Sequence, residues 1–378
     1  MHQFRYAHAA DDNWHDALSL VIDRLDAQRG AGSDSPSGTL GFVYVTDAAN
    51  SQLEAIHDRL RDATGVLHWV GAVGIGICAT GIEYYGKPAI AVMVADLPEE
   101  TFRVFPSIVK DLEGYEGVER DWLGAGQPFL GLVHGDPVNP LVESLVKQLA
   151  ARTATGFLVG GLASSEDNAR TVADTVTAGG LSGVMFTDAV GVQTSLSQGC
   201  SPIGPHRVIT ESQRNILVSL DGRPALEVFK EDIGEILARD LSRVGGYIFA
   251  GLPIVGSDTG DYLVRNLIGI DVEQKLLAIG DLVEQGQELM FCRRDADTAR
   301  EDLSRMLAHL AARLSGPPRG GVYVSCLGRG KNLFGDDSEE LKQIRDELGD
   351  FPLVGFYANG EISKDRLYGY TGVLTLFT

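Results

Sequence analysis

Three stretches of this chain each run an apolar strand into glycine, and that recurrence limits the possible folds more than any single motif does. The first is Val70-Gly71-Ala72-Val73-Gly74-Ile75-Gly76-Ile77-Cys78-Ala79-Thr80-Gly81, and the others open as Phe157-Leu158-Val159-Gly160-Gly161 and Pro352-Leu353-Val354-Gly355-Phe356. Small and β-branched residues, with no charge between Asp62 and Glu83, predict a buried strand. Its glycines mark bends or the close approach of another backbone or a ligand. The surroundings repeat as well. A predicted strand at 40–45, a helix at 51–64, the glycine strand and a strand at 88–95 are matched by 129–133, 137–151, 157–161 and 183–188. They are matched again by 321–325, 338–348, 352–355 and 369–377. From strand opening to glycine the spans are alike: 41 to 71, 129 to 160 and 321 to 355. A strand–helix–strand–strand unit used three times leaves one sheet face bare in each copy, so the copies should pack on one another. The expected class is α/β, with α+β as the alternative, in a two-domain protein.

Other segments frame the repeats. Residues 12–29 carry Ala17, Leu18, Val21, Ile22 and Leu25 at helical spacing, and 30–38 is a loop rich in Gly, Ser and Pro. Residues 208–229 (a strand, a turn at Asp221-Gly222 and the start of a helix) and the strands at 264–270, 275–279 and 288–292 fall outside the repeat. A long helix follows at 296–314. The expected division is an N-terminal helix and linker at 1–34, one domain at 35–230 and another at 231–378.

The 52 acidic against 32 basic residues give a net charge of −20, which argues against nucleic acid and anionic membranes as partners. No apolar run approaches the length of a membrane helix, and the first residues lack the apolar core of a signal peptide, so a cytoplasmic protein is expected. Cys78, Cys200, Cys292 and Cys326 lie far apart, which is neither a zinc nor a disulfide pattern.

The glycine spacing Gly71-x-x-Gly74-x-Gly76 is not the dinucleotide fingerprint, and residues 78–86 read as a turn where that motif needs a helix. Gly328-Arg329-Gly330-Lys331 lacks the flanking Gly and Ser/Thr of a phosphate loop, having Ser325 and Asn332 instead. No H-E-x-x-H or G-x-S-x-G occurs, and His57, His68, His134 and His206 form no ligand set, so no metal is expected. Cys326 is the best reactive candidate. It ends a strand beside Arg329 and Lys331, whose charges would favour the thiolate. Cys200, in a Gly/Pro turn, is a second. Arg265, Asn266, Asn359 and Glu361 add guanidinium, amide and carboxylate groups near apolar strands, a set that suits a zwitterion or an organic anion.

Taken in order, Trp69-Val70-Gly71 through Gly81, Gln198-Gly199-Cys200-x-Pro202-Ile203-Gly204-Pro205, Leu263-Val264-Arg265-Asn266, Cys326-x-Gly328-Arg329-Gly330 and Gly355-Phe356-x-x-Asn359-Gly360-Glu361 resemble the FIST family, over roughly residues 35 to 378. The resemblance implies FIST N-like and FIST C-like domains forming an intracellular sensory module for small ligands such as amino acids. With almost no room for an attached output domain, the expected protein is stand-alone and signals through a separate partner. The expected ligand contacts are Gly71, Gly74, Gly76, Cys78, Cys200, Arg265, Asn266, Cys326, Arg329, Asn359 and Glu361. The alternative is a cysteine-dependent enzyme using Cys326 or Cys200. Lesser alternatives are a protein-binding scaffold and a haem-linked gas sensor, as some members of the family are; no histidine here stands in a matched motif for haem.

Overall fold

The computed structural model describes residues 2–29, 38–123, 126–254 and 261–378, so the loop expected at 30–38 lies almost wholly outside them. Among the described residues the α-helices are α1 (Trp14–Ala27), α2 (Leu53–Thr64), α3 (Glu113–Leu123), α4 (Val142–Ala150), α5 (Ala225–Ala238), α6 (Ala296–Ala311) and α7 (Glu339–Leu348). None is long and apolar enough to cross a membrane. The chain divides into two compact units, residues 1–197 with 302–378, and residues 198–301. All three repeats therefore belong to the first unit, and most of the sequence read as lying outside the repeat forms the second.

Each repeat builds one six-stranded sheet on one plan. In the first, Leu40–Thr46 pairs in parallel with His68–Gly74 and antiparallel with Ala89–Ala95. In the second, Leu130–Gly135 does the same with Phe157–Leu162 and Leu181–Phe186. In the third, Gly320–Cys326 does so with Leu353–Ala358 and Thr371–Phe377. An outer strand closes one edge of each sheet: Arg5–Ala10, Phe102–Ile108 and Val192–Gln198.

The other edge corrects the reading of 70–86 as one strand and a turn. The glycine stretch is two strands in two sheets. His68–Gly74 stays with its own repeat, whereas Gly76–Ala79 and Ile82–Tyr85 form a hairpin that pairs with Leu353–Ala358 of the third repeat. The exchange is cyclic. The hairpin Glu361–Lys364 with Arg366–Tyr368 completes the second sheet, and Arg170–Ala173 with Thr175–Ala178 completes the first. Each repeat lends its hairpin to another, which locks the three together.

Gly71, Gly160 and Gly355 occupy the same place in the three sheets, opposite Val43, Val133 and Tyr323 on the parallel strand. A Cβ there would lie 1.8, 1.9 and 1.8 Å from the carbonyl oxygens of those residues. Only glycine allows so close an approach, and this is the physical source of the recurring strand-into-glycine pattern.

Strands buried on both faces read as continuous apolar runs, and alternation sorts their side chains. Phe42, Tyr44, Val70, Leu132, Val159, Val324, Val354 and Phe356 meet in one core shared by the three sheets. The opposite faces pack on helices. Val43, Val45 and Val73 meet Val21 of α1 and Ile56 of α2, and Val133 and Leu162 meet Leu145 and Leu149 of α4. The expectation that the copies bury their bare faces on one another is met.

In the second unit the pairings of Arg207–Gln213, Ile216–Leu220, Leu276–Ile279, Tyr262–Asp271, Ile248–Pro253 and Glu288–Arg294 close into a ring. Leu226, Phe229 and Ile233 of α5 pack on Leu217, Leu277 and Phe291 of that ring.

Candidate functional site

The repeat geometry makes one place in the first unit stand out. On the helix-facing side of the first sheet, the glycine position is surrounded by Val43, Val45, Val73, Val172 and Val176. The same register positions in the second sheet are Val133, Gly135, Leu162, Ile362 and Leu367. In the third they are Tyr323, Ser325, Tyr357, Cys78 and Glu83. Two copies are apolar and one is polar throughout.

Helix α7 supplies the centre of this polar set. Glu340, fully buried, accepts from the Tyr323 hydroxyl at 2.6 Å, from Arg329 Nε at 2.8 Å and from the Gly330 N–H at 2.8 Å. The Ser325 hydroxyl reaches both carboxylate oxygens at 3.2 and 3.3 Å. Arg329 is also fully buried, and its Nη2 donates to the Ser197 hydroxyl at 3.3 Å. Burial works against the guanidinium charge, but Glu340 and Tyr323 more than restore it, so Arg329 stays protonated. A buried pair with this many hydrogen bonds is held rigidly, since loss of either partner would strand a charge.

Beside the hub, groups are less satisfied. Glu83 Oε2 accepts from the Lys331 N–H at 3.2 Å, while Glu83 Oε1 and the hydroxyls of Tyr85 and Tyr357 are buried without a hydrogen bond. The Tyr85 and Tyr357 rings stack at 5.2 Å, and the Lys331 ammonium lies 4.4 Å from the Tyr85 ring centre. Burial, followed by the Glu340 charge, raises the Glu83 carboxyl to about 7. The two nearby hydroxyls temper that rise without reaching hydrogen-bond geometry. Gly330, at φ 51°, has no space for a side chain: a Cβ would sit 2.6 Å from the Tyr85 hydroxyl oxygen. Arg329 Nη1 and Glu361 Oε1 are likewise buried without a hydrogen bond. Glu361 Oε2 accepts from the Thr371 N–H and hydroxyl at 3.1 and 2.8 Å, and burial raises this carboxyl to about 8.

Of the residues expected at a ligand, Cys78, Cys326, Arg329 and Glu361 belong to this region. Gly71 serves strand packing. Gly74 and Gly76 form the crossing from one sheet to the next, where a Cβ would meet Gly76 O at 2.4 Å or the Tyr85 ring at 2.2 Å. Asn359 is exposed at the turn before Glu361. Cys200, Arg265 and Asn266 lie in the second unit, where the Tyr262 hydroxyl donates to the Cys200 carbonyl at 2.6 Å and Arg265 Nε meets Asp281 at 2.7 Å. Glu83, Tyr85, Tyr323, Tyr357 and Glu340 were not expected. Aligning the three repeats on their glycines sets Tyr323, Ser325 and Tyr357 against apolar residues and would have exposed that half of the set.

The expected activation of Cys326 is corrected. Burial and then the Glu361 charge push its thiol up; the N–H groups of Gly328 and Tyr370 and the Arg329 charge do not offset them. Arg329 is committed to Glu340, and Lys331 faces the Tyr85 ring. The Cys78 thiol is likewise raised by burial and by Glu83, and burial raises Cys292 to about 12.

Neither His134 nor the cleft at the strand ends of the first two sheets fits haem. His134 is fully buried with its Nε2 at 3.0 Å from the Tyr44 hydroxyl, and its ring packs on Tyr44 and Phe356. A cleft of about 570 Å³ at the ends of Leu40–Thr46 and Leu130–Gly135 carries no histidine, cysteine or methionine in its lining. Three of its four carboxylates are engaged: Asp47 with Ser165, Asp136 with the Gly179 N–H and Glu54 with Arg170.

Comparison with known proteins agrees with the motif order. Uncharacterized protein Rv0628c of Mycobacterium tuberculosis is 33% identical over 360 residues, 89% of this chain and 90% of that protein. Uncharacterized protein Mb0898c of Mycobacterium bovis is 29% identical over 358 residues, 89% of each. The FIST N domain matches residues 39–223 and the FIST C domain residues 225–364. Matched in that order over most of its length by two sensory domains, the chain belongs to the FIST family.

Proposed function

We propose that this protein is a cytoplasmic sensor that binds a small amino-acid or organic-anion ligand at the polar position of the third repeat and signals through a protein partner. The observation that carries the reading is the break in internal symmetry: five register positions that are apolar in two sheets are tyrosine, serine, tyrosine, cysteine and glutamate in the third. A scaffold that packs well with valine and leucine gains no stability from buried polar groups, each of which costs about 1–3 kcal/mol when unsatisfied. Their presence supports a binding role. Arg329 Nη1 is suited to a carboxylate, and Glu83 Oε1 with the Tyr85 and Tyr357 hydroxyls to an ammonium or hydroxyl group. Tyr85 and Glu83 are half-buried, on the hairpin borrowed from the first repeat, so ligand contact there bears on the join between two repeats. The raised thiols of Cys78 and Cys326 weigh against the cysteine-enzyme reading.

A thermal-shift panel of amino acids and small organic acids tests this. At least one should raise the melting temperature of the natural protein and lose that effect in Tyr85→Phe and Glu83→Gln. A panel without a hit, or hits equally effective on both variants, would contradict it.

A further inference from the structure

In the second unit, α5 is broken at Gly234, whose φ of 79° and ψ of 162° are not helical. The break leaves a cleft of about 370 Å³ walled by Ile203, Ile233, Leu237, Tyr247 and Ile248. Two charged residues line it, and they differ in kind. Asp232 is 4% exposed and held by Arg207 at 2.5 and 3.1 Å, so its charge is matched. Arg293 is 48% exposed and makes one long contact, 3.4 Å to Asp295. Arg293 stands directly opposite Ile248 in the antiparallel pair, so both side chains leave the same face of the sheet. Ile248 is buried with α5, which puts the guanidinium at the lip of an apolar recess.

We infer that this cleft binds a small monocarboxylate with an apolar body, the carboxylate on Arg293 and the body against Ile203, Leu237 and Tyr247. The volume falls in the range of small-molecule sites, and apolar walls with one polar anchor are their usual composition. Charge selects the class. With Asp232 matched by Arg207, the exposed Arg293 guanidinium beside apolar surface favours an anion with something to bury, and a guanidinium recognises a carboxylate by paired N–H donors. This site is separate from the one proposed in the third repeat and does not depend on it.

The test is titration calorimetry of the full chain with phenylacetate, 2-phenylethylamine and acetate. Phenylacetate should bind with a Kd of about 1 mM or tighter, and the amine and acetate at least about tenfold more weakly. Arg293→Gln should weaken phenylacetate by about tenfold or more without moving the unfolding midpoint, while Tyr85→Phe should leave it unchanged. Failure of phenylacetate to bind at about 10 mM, or equal binding by Arg293→Gln or of the amine, would overturn the inference.

Discussion

Glu361→Gln separates a carboxyl that is buried neutral from one that is buried charged. Glu361 is fully buried and its carboxyl is raised from 4.5 to about 8 by burial. Between those values the folded chain keeps a proton that the unfolded chain has released, so stability falls as pH rises through that window. The slope is about 1.4 kcal/mol per pH unit, or on the order of 2–4 kcal/mol across the window once relaxation of the site is allowed for. Glutamine copies the protonated acid: its carbonyl can accept from Thr371 as Oε2 does, and its NH2 takes the place of the protonated oxygen. The variant should match the natural protein near about pH 5 and exceed its stability by a few kcal/mol near about pH 8.5. Urea unfolding followed by tryptophan fluorescence reads this in the right unit, because Trp14, Trp69 and Trp122 all lie in the first. Other groups, such as His134 with its pKa lowered to about 3 by burial, titrate equally in both proteins and cancel in the difference. A variant equally destabilised at every pH, or one whose advantage shrinks as pH rises, would refute the reasoning.

Three further outcomes follow from the packing. Glu340→Ala leaves Arg329 charged and unpaired in the interior and should cost about 3–5 kcal/mol in urea unfolding. Glu83→Leu, which copies Leu367 at the same place in the second sheet, should hold or raise stability by up to about 1 kcal/mol while abolishing ligand-induced stabilisation, read by thermal shift. Native labelling with iodoacetamide should modify Cys326 before Cys78 and Cys292, because it is the half-buried thiol among the three, and slowly, because its pKa is raised.

What the sequence disclosed follows from burial. Strands such as Ala89–Ala95 and Leu181–Phe186 are covered on both faces, so every residue is apolar or small and the segment is plain to see. The glycines at 71, 160 and 355 were legible for the same reason, since the backbone contact behind them excludes any side chain. The outer strands Arg5–Ala10, Phe102–Ile108 and Val192–Gln198 were not, because edge strands covered on one side mix charged and polar residues with apolar ones. The exchanged hairpins were hidden by topology: Cys78 pairs with Gly355, and nothing local to either residue says so. At the site, Arg329 and Glu361 drew attention because they stand beside glycine turns. The role first read for Arg329, a cation for Cys326, fails because Glu340, placed by the helix that follows, takes that charge. Glu83 and Tyr357 are ordinary residues until their apolar counterparts in the other two sheets are set beside them, and Glu340 is one until α7 is seen to carry it to them.

The central claim is that the polar position of the third repeat binds a small ligand. The most direct measurement is calorimetric titration of the strongest thermal-shift hit into the natural protein, Tyr85→Phe and Arg293→Gln. The account predicts one-to-one binding that stabilises the natural protein by about 2.7 kcal/mol at 100 times the Kd. It further predicts binding weakened about tenfold in Tyr85→Phe and unchanged in Arg293→Gln. Affinity unchanged in Tyr85→Phe and lost in Arg293→Gln would place the ligand in the second unit and contradict the claim.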